Sequence, residues 1–165
     1  MNPAPESPED LHATITAPGE LPEVLPLLEE FLRDGEPLPE RFVERVRSSV
    51  ERGDLYVIAA SIAGRAVGVL TLAPRPSFAL GGTFASIEDL YVSPAYRRLG
   101  VGRTLLSRTR KLCASLDISY VEVQVEPAEK GAKEFYTSGG FEMEEEVAVM
   151  SLSQASSGAE NSSTS

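Results

Sequence analysis

A glycine-containing turn rich in arginine is the part of this 165-residue sequence best suited to bind a ligand. Gly100 and Gly102 follow Arg97 and Arg98 where an apolar run gives way to a helical pattern. Glycines let backbone N–H groups approach a ligand closely, and a helix start supplies unpaired N–H donors and about half a positive charge. Because arginines beside such donors favour an anion, the turn predicts a phosphate-binding site.

The charge of this region is opposite to that of the whole chain. The chain has a net charge of −10, yet between Leu90 and Leu116 it carries no acid and six bases: Arg97, Arg98, Arg103, Arg108, Arg110 and Lys111. The acidic balance argues against a nucleic-acid binder, since such proteins gain affinity by neutralising phosphates. The sequence lacks two common phosphate-binding motifs. GxxxxGK[ST] does not occur in it, and Leu105 occupies the position of the third glycine of GxGxxG.

Glu88 is the residue best placed to act as a base. It alternates with Leu90 and Val92 in an apolar run, which predicts a carboxylate half-buried in a central strand. Such a carboxylate suits proton removal near neutral pH. An edge-facing, ion-paired glutamate is the alternative interpretation. Asp89, predicted on the opposite face, and Glu126, after the following strand, are weaker candidates.

Hydrophobic patterning predicts the elements that position these residues. Strands over 84–93 and 119–125 flank a helix over 100–116, and this spacing predicts a right-handed crossover between two parallel strands. The other predicted elements are strands over 11–17, 54–62 and 66–73, helices over 22–33, 39–52 and 128–138, a loop over 74–82, and a last strand or hairpin over 141–152. Pro26 predicts that the first helix starts near it or kinks there. The fold class is therefore α/β (α+β), with a mixed twisted sheet, a β-α-β core and flanking helices.

Length and composition bound the remaining possibilities. One domain is expected over 11–152, between a Pro-rich tail (1–10) and a Ser-rich tail (153–165) that are expected to be disordered. A single cysteine and a single histidine exclude an internal disulfide and a His/Cys metal cluster. The first residues do not resemble a signal peptide, so a cytoplasmic protein without a membrane segment is expected.

Two motifs in the second half occur at a characteristic spacing. Residues 97–102, Arg-Arg-Leu-Gly-Val-Gly, match [Q/R]-x-x-G-x-[G/A], and residues 132–141 match A-x-x-F-Y-x-x-x-G-F about thirty residues on. With this strand–turn–helix context, residues 84–142 resemble the GNAT superfamily of N-acetyltransferases. The rest of the chain agrees with that superfamily in the order of its elements.

The resemblance implies acetyl-CoA as the cosubstrate and no metal. In such proteins the glycine turn holds the pyrophosphate through backbone N–H groups, the preceding strand pairs its backbone with pantetheine, and the sheet splays after that strand. The implied cofactor-binding residues are Leu90, Tyr91, Val92, Arg97, Arg98, Leu99, Gly100, Val101, Gly102, Arg103 and Thr104. Glu129 is a departure, since members often carry there an asparagine that touches the cofactor.

The resemblance also implies two catalytic residues. Glu88 would be the general base, directly or through water, and Tyr136 of the second motif would be the general acid for the departing thiolate. A core aromatic with a satisfied hydroxyl is the other interpretation of Tyr136. Cys113 lies on the apolar stripe of a helix, which predicts a buried hydrophobe and not a nucleophile. Direct attack by the amine in a ternary complex is therefore expected.

The predicted function is an acetyl-CoA-dependent N-acetyltransferase acting on a primary amine of a small molecule or peptide. The alternative is a catalytically silent module that binds or senses acetyl-CoA. A homodimer is compatible with the resemblance. Residues 20–54, which would wall the acceptor side, carry ten acids and five bases, and acids recur at Glu142, Glu144, Glu145 and Glu146. This charge predicts a cationic acceptor, unless the acids merely solvate helix faces.

Overall fold

A five-stranded sheet forms the centre of the protein, in a computed structural model that describes residues 8–126, 128–144 and 148–154. The strands, in spatial as in chain order, are β1 (His12–Ile15), β2 (Tyr56–Ile62), β3 (Arg65–Ser77), β4 (Gly82–Val92) and β5 (Val121–Val123). The helices are α1 (Leu21–Arg33), α2 (Glu40–Arg52), α3 (Val101–Ser115) and α4 (Lys130–Ser138). The first four strands pair antiparallel and β5 pairs parallel to β4, which confirms the predicted mixed sheet. The tails predicted over 1–10 and 153–165 lie largely outside the described residues.

Two apolar layers hold helices against the two faces of the sheet. On one face, residues of α1 and α2 pack with Val57, Val69 and Tyr91 of the strands. On the other face, Leu105 and further residues of α3 pack against the remaining strand side chains. Fully burying a side chain of this size contributes about 1.5–3 kcal/mol, so these layers fix where the end of β4 and the start of α3 lie.

Local signals place most helix ends where the sequence predicts them. Gly53 ends α2 in the left-handed conformation, with φ 75°. The prediction that α1 starts or kinks near Pro26 is wrong about the start, since the helix begins at Leu21. Pro26 lies only one turn inside the helix and is exposed, so its missing N–H removes one hydrogen bond near an end that water can reach.

The loop predicted over 74–82 is mostly hairpin. β3 continues to Ser77 and pairs with β4 down to Gly82, leaving only 78–81 as the turn. Pro74 and Pro76 fit in β3 because β2 accompanies it no further than Leu72. That part of β3 is an edge, where a residue without an N–H is tolerated.

The last strand predicted over 141–152 is absent from the described part of that segment, residues 141–144 and 148–154. Glu142, Met143 and Glu144 are all exposed, so their alternation has no apolar face buried against the sheet. The Tyr120 hydroxyl donates a hydrogen bond to Glu144. Within the described residues, no helix is both long and apolar enough to cross a bilayer.

Candidate functional site

β4 loses its neighbour on one side halfway along its length. Its pairing with β5 covers Ala85 to Ile87, whereas β3 accompanies it as far as Val92. In the described chain, the β5-side edge of β4 is therefore unpaired from Glu88 onward. Such an edge offers backbone N–H and C=O groups with which an extended polar chain can pair.

The start of α3 lies just beyond this open edge. Arg98 and Gly100 adopt the left-handed conformation, with φ 64° and 85°. The first helical hydrogen bond runs from the Thr104 N–H to the Gly100 carbonyl, at 3.0 Å. The amides of the three helical residues before Thr104 consequently have no acceptor within the helix. Together with the helix dipole, they form a site that favours an anion.

One cavity of about 530 Å³ joins the open edge to the helix start. Eight of the predicted cofactor-binding residues line it: Leu90, Val92, Arg97, Arg98, Gly100, Val101, Gly102 and Arg103. Tyr96 and Phe135 also line it, and neither is among the residues that the sequence predicts for the site. The A-x-x-F-Y motif contains Phe135, and its position in that motif is the signal in the sequence that points to the site.

Three of the predicted cofactor-binding residues do not line the cavity. Leu99 packs against the apolar layer around α3. The Thr104 hydroxyl donates a hydrogen bond to the Gly100 carbonyl at 2.9 Å, so this side chain stabilises the first turn of α3. Tyr91 faces α1, where its ring stacks on Phe31 at a centroid distance of 4.9 Å.

Tyr91 connects α1 with the arginine turn. Burial raises the pKa of its phenol, and the nearby Glu30 carboxylate raises it further, whereas Arg97 lowers it. Arg97 also lies 5.8 Å from the centre of the Tyr91 ring and donates from Nε to the Val92 carbonyl at 3.1 Å. These contacts fix the guanidinium at the mouth of the cavity.

Gly102 is required by packing as well as by any ligand. A Cβ at this position would lie 2.9 Å from the ring atoms Cε2 and Cζ of Phe135. The ring of Phe135 in α4 therefore rests directly on the first turn of α3. Both residues line the cavity, so this contact is part of its wall.

Glu88 lies at a β-bulge. Thr71 of β3 is opposite Asp89 and Leu72 is opposite Ile87, so Glu88 is the extra residue on β4. The bulge shifts the alternation by one residue, which puts Ile87 and Leu90 in the same apolar layer although they are three positions apart. The prediction of a half-buried Glu88 is therefore wrong, and its side chain is exposed beside the open edge.

Tyr136 lies in α4 within a cluster of aromatic rings. Its ring centre is 5.1 Å from that of Phe135 and 5.3 Å from that of Phe141, both edge-on. Burial, and secondly the Glu129 carboxylate, raise the pKa of Tyr136 to about 12. Tyr136 is not among the residues that line the cavity, whereas its neighbour Phe135 is. Glu129 is exposed just before α4, so the residue that departs from the motif acts on Tyr136 electrostatically.

Cys113 is buried in the α3 layer, and burial raises the pKa of its thiol. A buried thiol with a raised pKa is a poor nucleophile at neutral pH. Glu126, the third base candidate, is exposed beyond the end of β5.

A second cavity, of about 780 Å³, lies on the α1 side of Tyr96. Glu23, Glu29 and Glu30 of α1 are among its lining residues, and Tyr96 belongs to the walls of both cavities. A basic cavity and an acid-lined cavity therefore meet at one tyrosine.

Comparison with known families gives a match over most of the chain. Residues 21–141 match the model of a family described as Acetyltransferase (GNAT) family. This range includes both walls of the first cavity. No curated protein matches the sequence.

Solved structures share this fold. An aminoglycoside acetyltransferase from an uncultured soil metagenomic sample, in complex with sisomicin, matches with a TM-score of 0.79 and 23% identity, covering 88% of this chain and 97% of that one. An acetyltransferase from Trypanosoma brucei matches with a TM-score of 0.71 and 25% identity, over 87% and 100% of the two chains. An aminoglycoside antibiotic 6′-N-acetyltransferase from Acinetobacter baumannii matches at 0.72 and 15% identity, over 88% and 99%.

Proposed function

Because the chain belongs to the GNAT acetyltransferase family, we propose that it transfers the acetyl group of acetyl-CoA to a primary amine in a ternary complex. In this reaction the amine nitrogen bonds to the thioester carbonyl carbon, the carbon–sulfur bond breaks, and a proton moves from nitrogen to the departing sulfur. Acetyl-CoA supplies the activated acyl group. The protein has to hold it, orient the amine and manage one proton.

The observation that carries this proposal is the continuity between the open edge of β4 and the start of α3. Both border one cavity of about 530 Å³. An amide-bearing arm can pair with the strand edge while its pyrophosphate meets the free amides of α3. Three arginines line the same cavity and add positive charge where phosphates would lie: Arg97, Arg98 and Arg103.

The residues present fit such a ligand in charge as well as in shape. Phosphate groups favour a helix N-terminus and guanidinium donors, and no acid lies between Leu90 and Leu116. The left-handed conformation of Gly100 directs the chain into α3, and a side chain there would be strained.

Glu88 is proposed to accept the proton of the amine. Its exposure beside the unpaired edge leaves room for a water between carboxylate and amine. An amine with a pKa of about 10.4 is neutral in only about one molecule in 2,500 at pH 7, so a base or a water chain is needed.

Tyr136 is proposed to donate a hydrogen bond to the departing sulfur. With its pKa at about 12, the phenol remains protonated throughout the neutral range. Complete transfer to a thiolate whose thiol has a pKa of about 8.5 would be uphill by about 5 kcal/mol. Stabilising the thiolate by a hydrogen bond is therefore better supported than full proton transfer.

The acceptor is proposed to be a cationic amine. The acids of α1 line the cavity next to the basic one, and residues 20–54 carry five more acids than bases. Two of the structural relatives reported above are aminoglycoside acetyltransferases, whose named substrates are basic amines.

A silent acetyl-CoA-binding module is the second candidate. The position of Tyr136 outside the cavity lining favours it, because a binding protein needs no proton donor. This candidate predicts binding of acetyl-CoA without release of thiol in the presence of any amine.

The cofactor site is tested by two charge reversals on the same helix. Arg103→Glu lies in the cavity wall, and Lys111→Glu is the matched control on an exposed position outside it. A glutamate in the first turn favours the helix dipole, so α3 should not be weakened by Arg103→Glu. Calorimetry should show acetyl-CoA affinity at least tenfold lower in Arg103→Glu, about 1.4 kcal/mol, and little changed in Lys111→Glu.

Activity is tested by release of free thiol from acetyl-CoA with a panel of amines. Amine-dependent release supports the transferase. Tight binding with no release from any amine, basic antibiotics and polyamines included, would support the binding module instead. Equal affinity in the two charge variants would move the cofactor site away from the start of α3.

A further inference from the structure

A carboxylate on the α1 side of β4 has no part in the function proposed above. Asp89 is half-buried, and it is two residues from Tyr91 in the regularly paired part of β4, so the two side chains lie on the same face of the strand. The hydroxyl of the buried Thr71 donates to Asp89 Oδ2 at 2.6 Å. This hydrogen bond holds the carboxylate in one orientation on a central strand.

Asp89 has no ion-pair partner among the described residues. None of the four ion pairs among these residues includes it. A partly buried carboxylate loses hydration, and one hydroxyl donor replaces only part of it. A charge-assisted hydrogen bond from an ammonium group would replace the rest, and it is roughly twice as strong as a neutral one.

An aromatic surface lies on the same side of the sheet. Phe31 stacks on Tyr91 and remains 44% exposed, so much of its ring is open to a ligand. Residues two apart on a strand are about 6–7 Å apart, which puts Asp89 within the length of a small ligand from this pair of rings. Aromatic faces attract organic cations, and a fixed carboxylate nearby strengthens that selection.

We infer that Asp89, with Phe31 beside it, binds a second ammonium group of the acceptor while the reacting amine lies at Glu88. The inference rests on the proposed function and sharpens it. The acceptor class becomes a diamine or larger polycationic amine, and a monoamine of the same length lacks the group that Asp89 binds. Thr71 is a positioning residue, because it acts only by orienting Asp89.

The test compares 1,4-diaminobutane with n-butylamine, two acceptors of equal chain length that differ in one ammonium group. Asp89→Asn removes the charge and keeps an oxygen for the Thr71 hydroxyl. Asp117→Asn is the control, since it removes an exposed acid in the turn after α3, where asparagine also tolerates the φ of 56°. Asp89→Asn should raise KM for the diamine at least tenfold, change kcat little, and leave kcat/KM for n-butylamine unchanged.

A binding measurement separates this inference from the proposed function. In calorimetry with CoA-saturated protein, the wild type and Asp117→Asn should bind 1,4-diaminobutane alike, and Asp89→Asn should bind it at least tenfold more weakly. Thr71→Val should give part of the same loss. Equal effects of Asp89→Asn on both amines, or no effect on diamine binding, would overturn the role of Asp89. Asp89-dependent binding without acetyl transfer would support the role and overturn the transferase.

Discussion

Single side chains at this site owe their properties to their neighbours. Tyr136 lies against two rings and near one carboxylate, and these surroundings raise its pKa to about 12. Cys113 is buried, and the pKa of its thiol is also raised. The consequences differ, because a phenol that stays protonated can donate a hydrogen bond, whereas a thiol that stays protonated cannot attack.

Removing the two proposed proton-handling groups should affect turnover and not cofactor binding. Tyr136→Phe removes only a hydroxyl from a ring that still packs on Phe135, and Glu88→Gln keeps the shape of an exposed side chain. Glu88→Gln is expected to lower kcat by about 10²–10⁴, as for the loss of a general base, and Tyr136→Phe by about 10²–10³, as for the loss of one hydrogen-bond donor to a developing anion. Steady-state kinetics and acetyl-CoA calorimetry check this. Wild-type kcat in Tyr136→Phe would reduce the tyrosine to a core aromatic.

The raised pKa of Tyr136 also predicts how stability depends on pH. Its pKa is about 12 in the folded protein against an ordinary value of 10.0, so the folded state holds this proton more tightly than the unfolded state. The resulting stabilisation is complete below pH 10 and is lost as the pH rises towards 12, with a total on the order of 1–2 kcal/mol because solvent screens a phenol that is partly exposed. Urea denaturation at pH 9 and pH 11.5 should show a smaller loss for Tyr136→Phe than for wild type. Equal losses would contradict the burial of this phenol.

At the scale of elements, one close approach sets the position of the turn at the start of α3. A Cβ on Gly68 of β3 would lie 2.7 Å from Val101 Cγ1 and 3.2 Å from Leu105 Cδ1. Val101 is the first residue of α3, so the absence of a side chain at Gly68 lets the helix start rest directly on the sheet. The free amides of α3 are thereby held at the end of β4.

Gly68→Ala and Gly131→Ala are expected to change stability in opposite directions. Overpacking at Gly68 should cost about 1–3 kcal/mol, because the atoms in its way belong to the core. A Cβ at Gly131 in α4 meets open space, and replacing a helical glycine should gain up to about 0.5–1 kcal/mol. Urea denaturation midpoints measure both changes. A Gly68→Ala protein as stable as wild type would show that α3 can move away from β3 without cost.

The elements that patterning predicts well are those with local causes. The run of Arg97 to Gly102 predicts the helix start, since glycine conformation and unpaired amides depend on adjacent residues. The bulge at Glu88 and the strand through Pro74 and Pro76 depend on which strand lies alongside, and a single sequence does not show this. For the same reason the alternation around Glu88 misplaces its side chain.

At the scale of the whole molecule, charge is divided unevenly. The chain has a net charge of −10, whereas residues 90–116 carry six bases and no acid, and three of these bases line the first cavity. Acetyl-CoA is an anion, so the net charge repels it at long range and the basic segment attracts it at short range. At physiological ionic strength the Debye length is about 8 Å, so salt screens the distant charges of the chain. The nearby arginines therefore dominate the electrostatic interaction with acetyl-CoA.

The salt dependence of the association rate should show whether the net charge of the chain or the local arginines control the approach of acetyl-CoA. If the local arginines do, the rate of acetyl-CoA association falls as salt rises from 20 to 200 mM in a stopped-flow experiment, despite the negative net charge. The kcat/KM of a cationic acceptor should fall over the same range, because salt also screens the acids of α1 and α2. An association rate that rises with salt would show that the net charge dominates.

The order of the strands along the sheet also has a consequence for folding. β2, β3 and β4 form a meander whose two turns are short, so closing its contacts costs little chain entropy. β5 adds only three paired residues and arrives across the whole of α3. The meander is therefore expected to form early, and its amide hydrogens are expected to exchange most slowly. The amides of β5 and α4 are expected to exchange through local unfolding that costs less free energy than global unfolding. Leu90 and Val92 in the lining of the first cavity then belong to the slowest-exchanging part of the protein, and the wall that contains Phe135 belongs to a part that exchanges faster. The cavity would accordingly open by loosening that wall, and a bound cofactor would slow exchange there first.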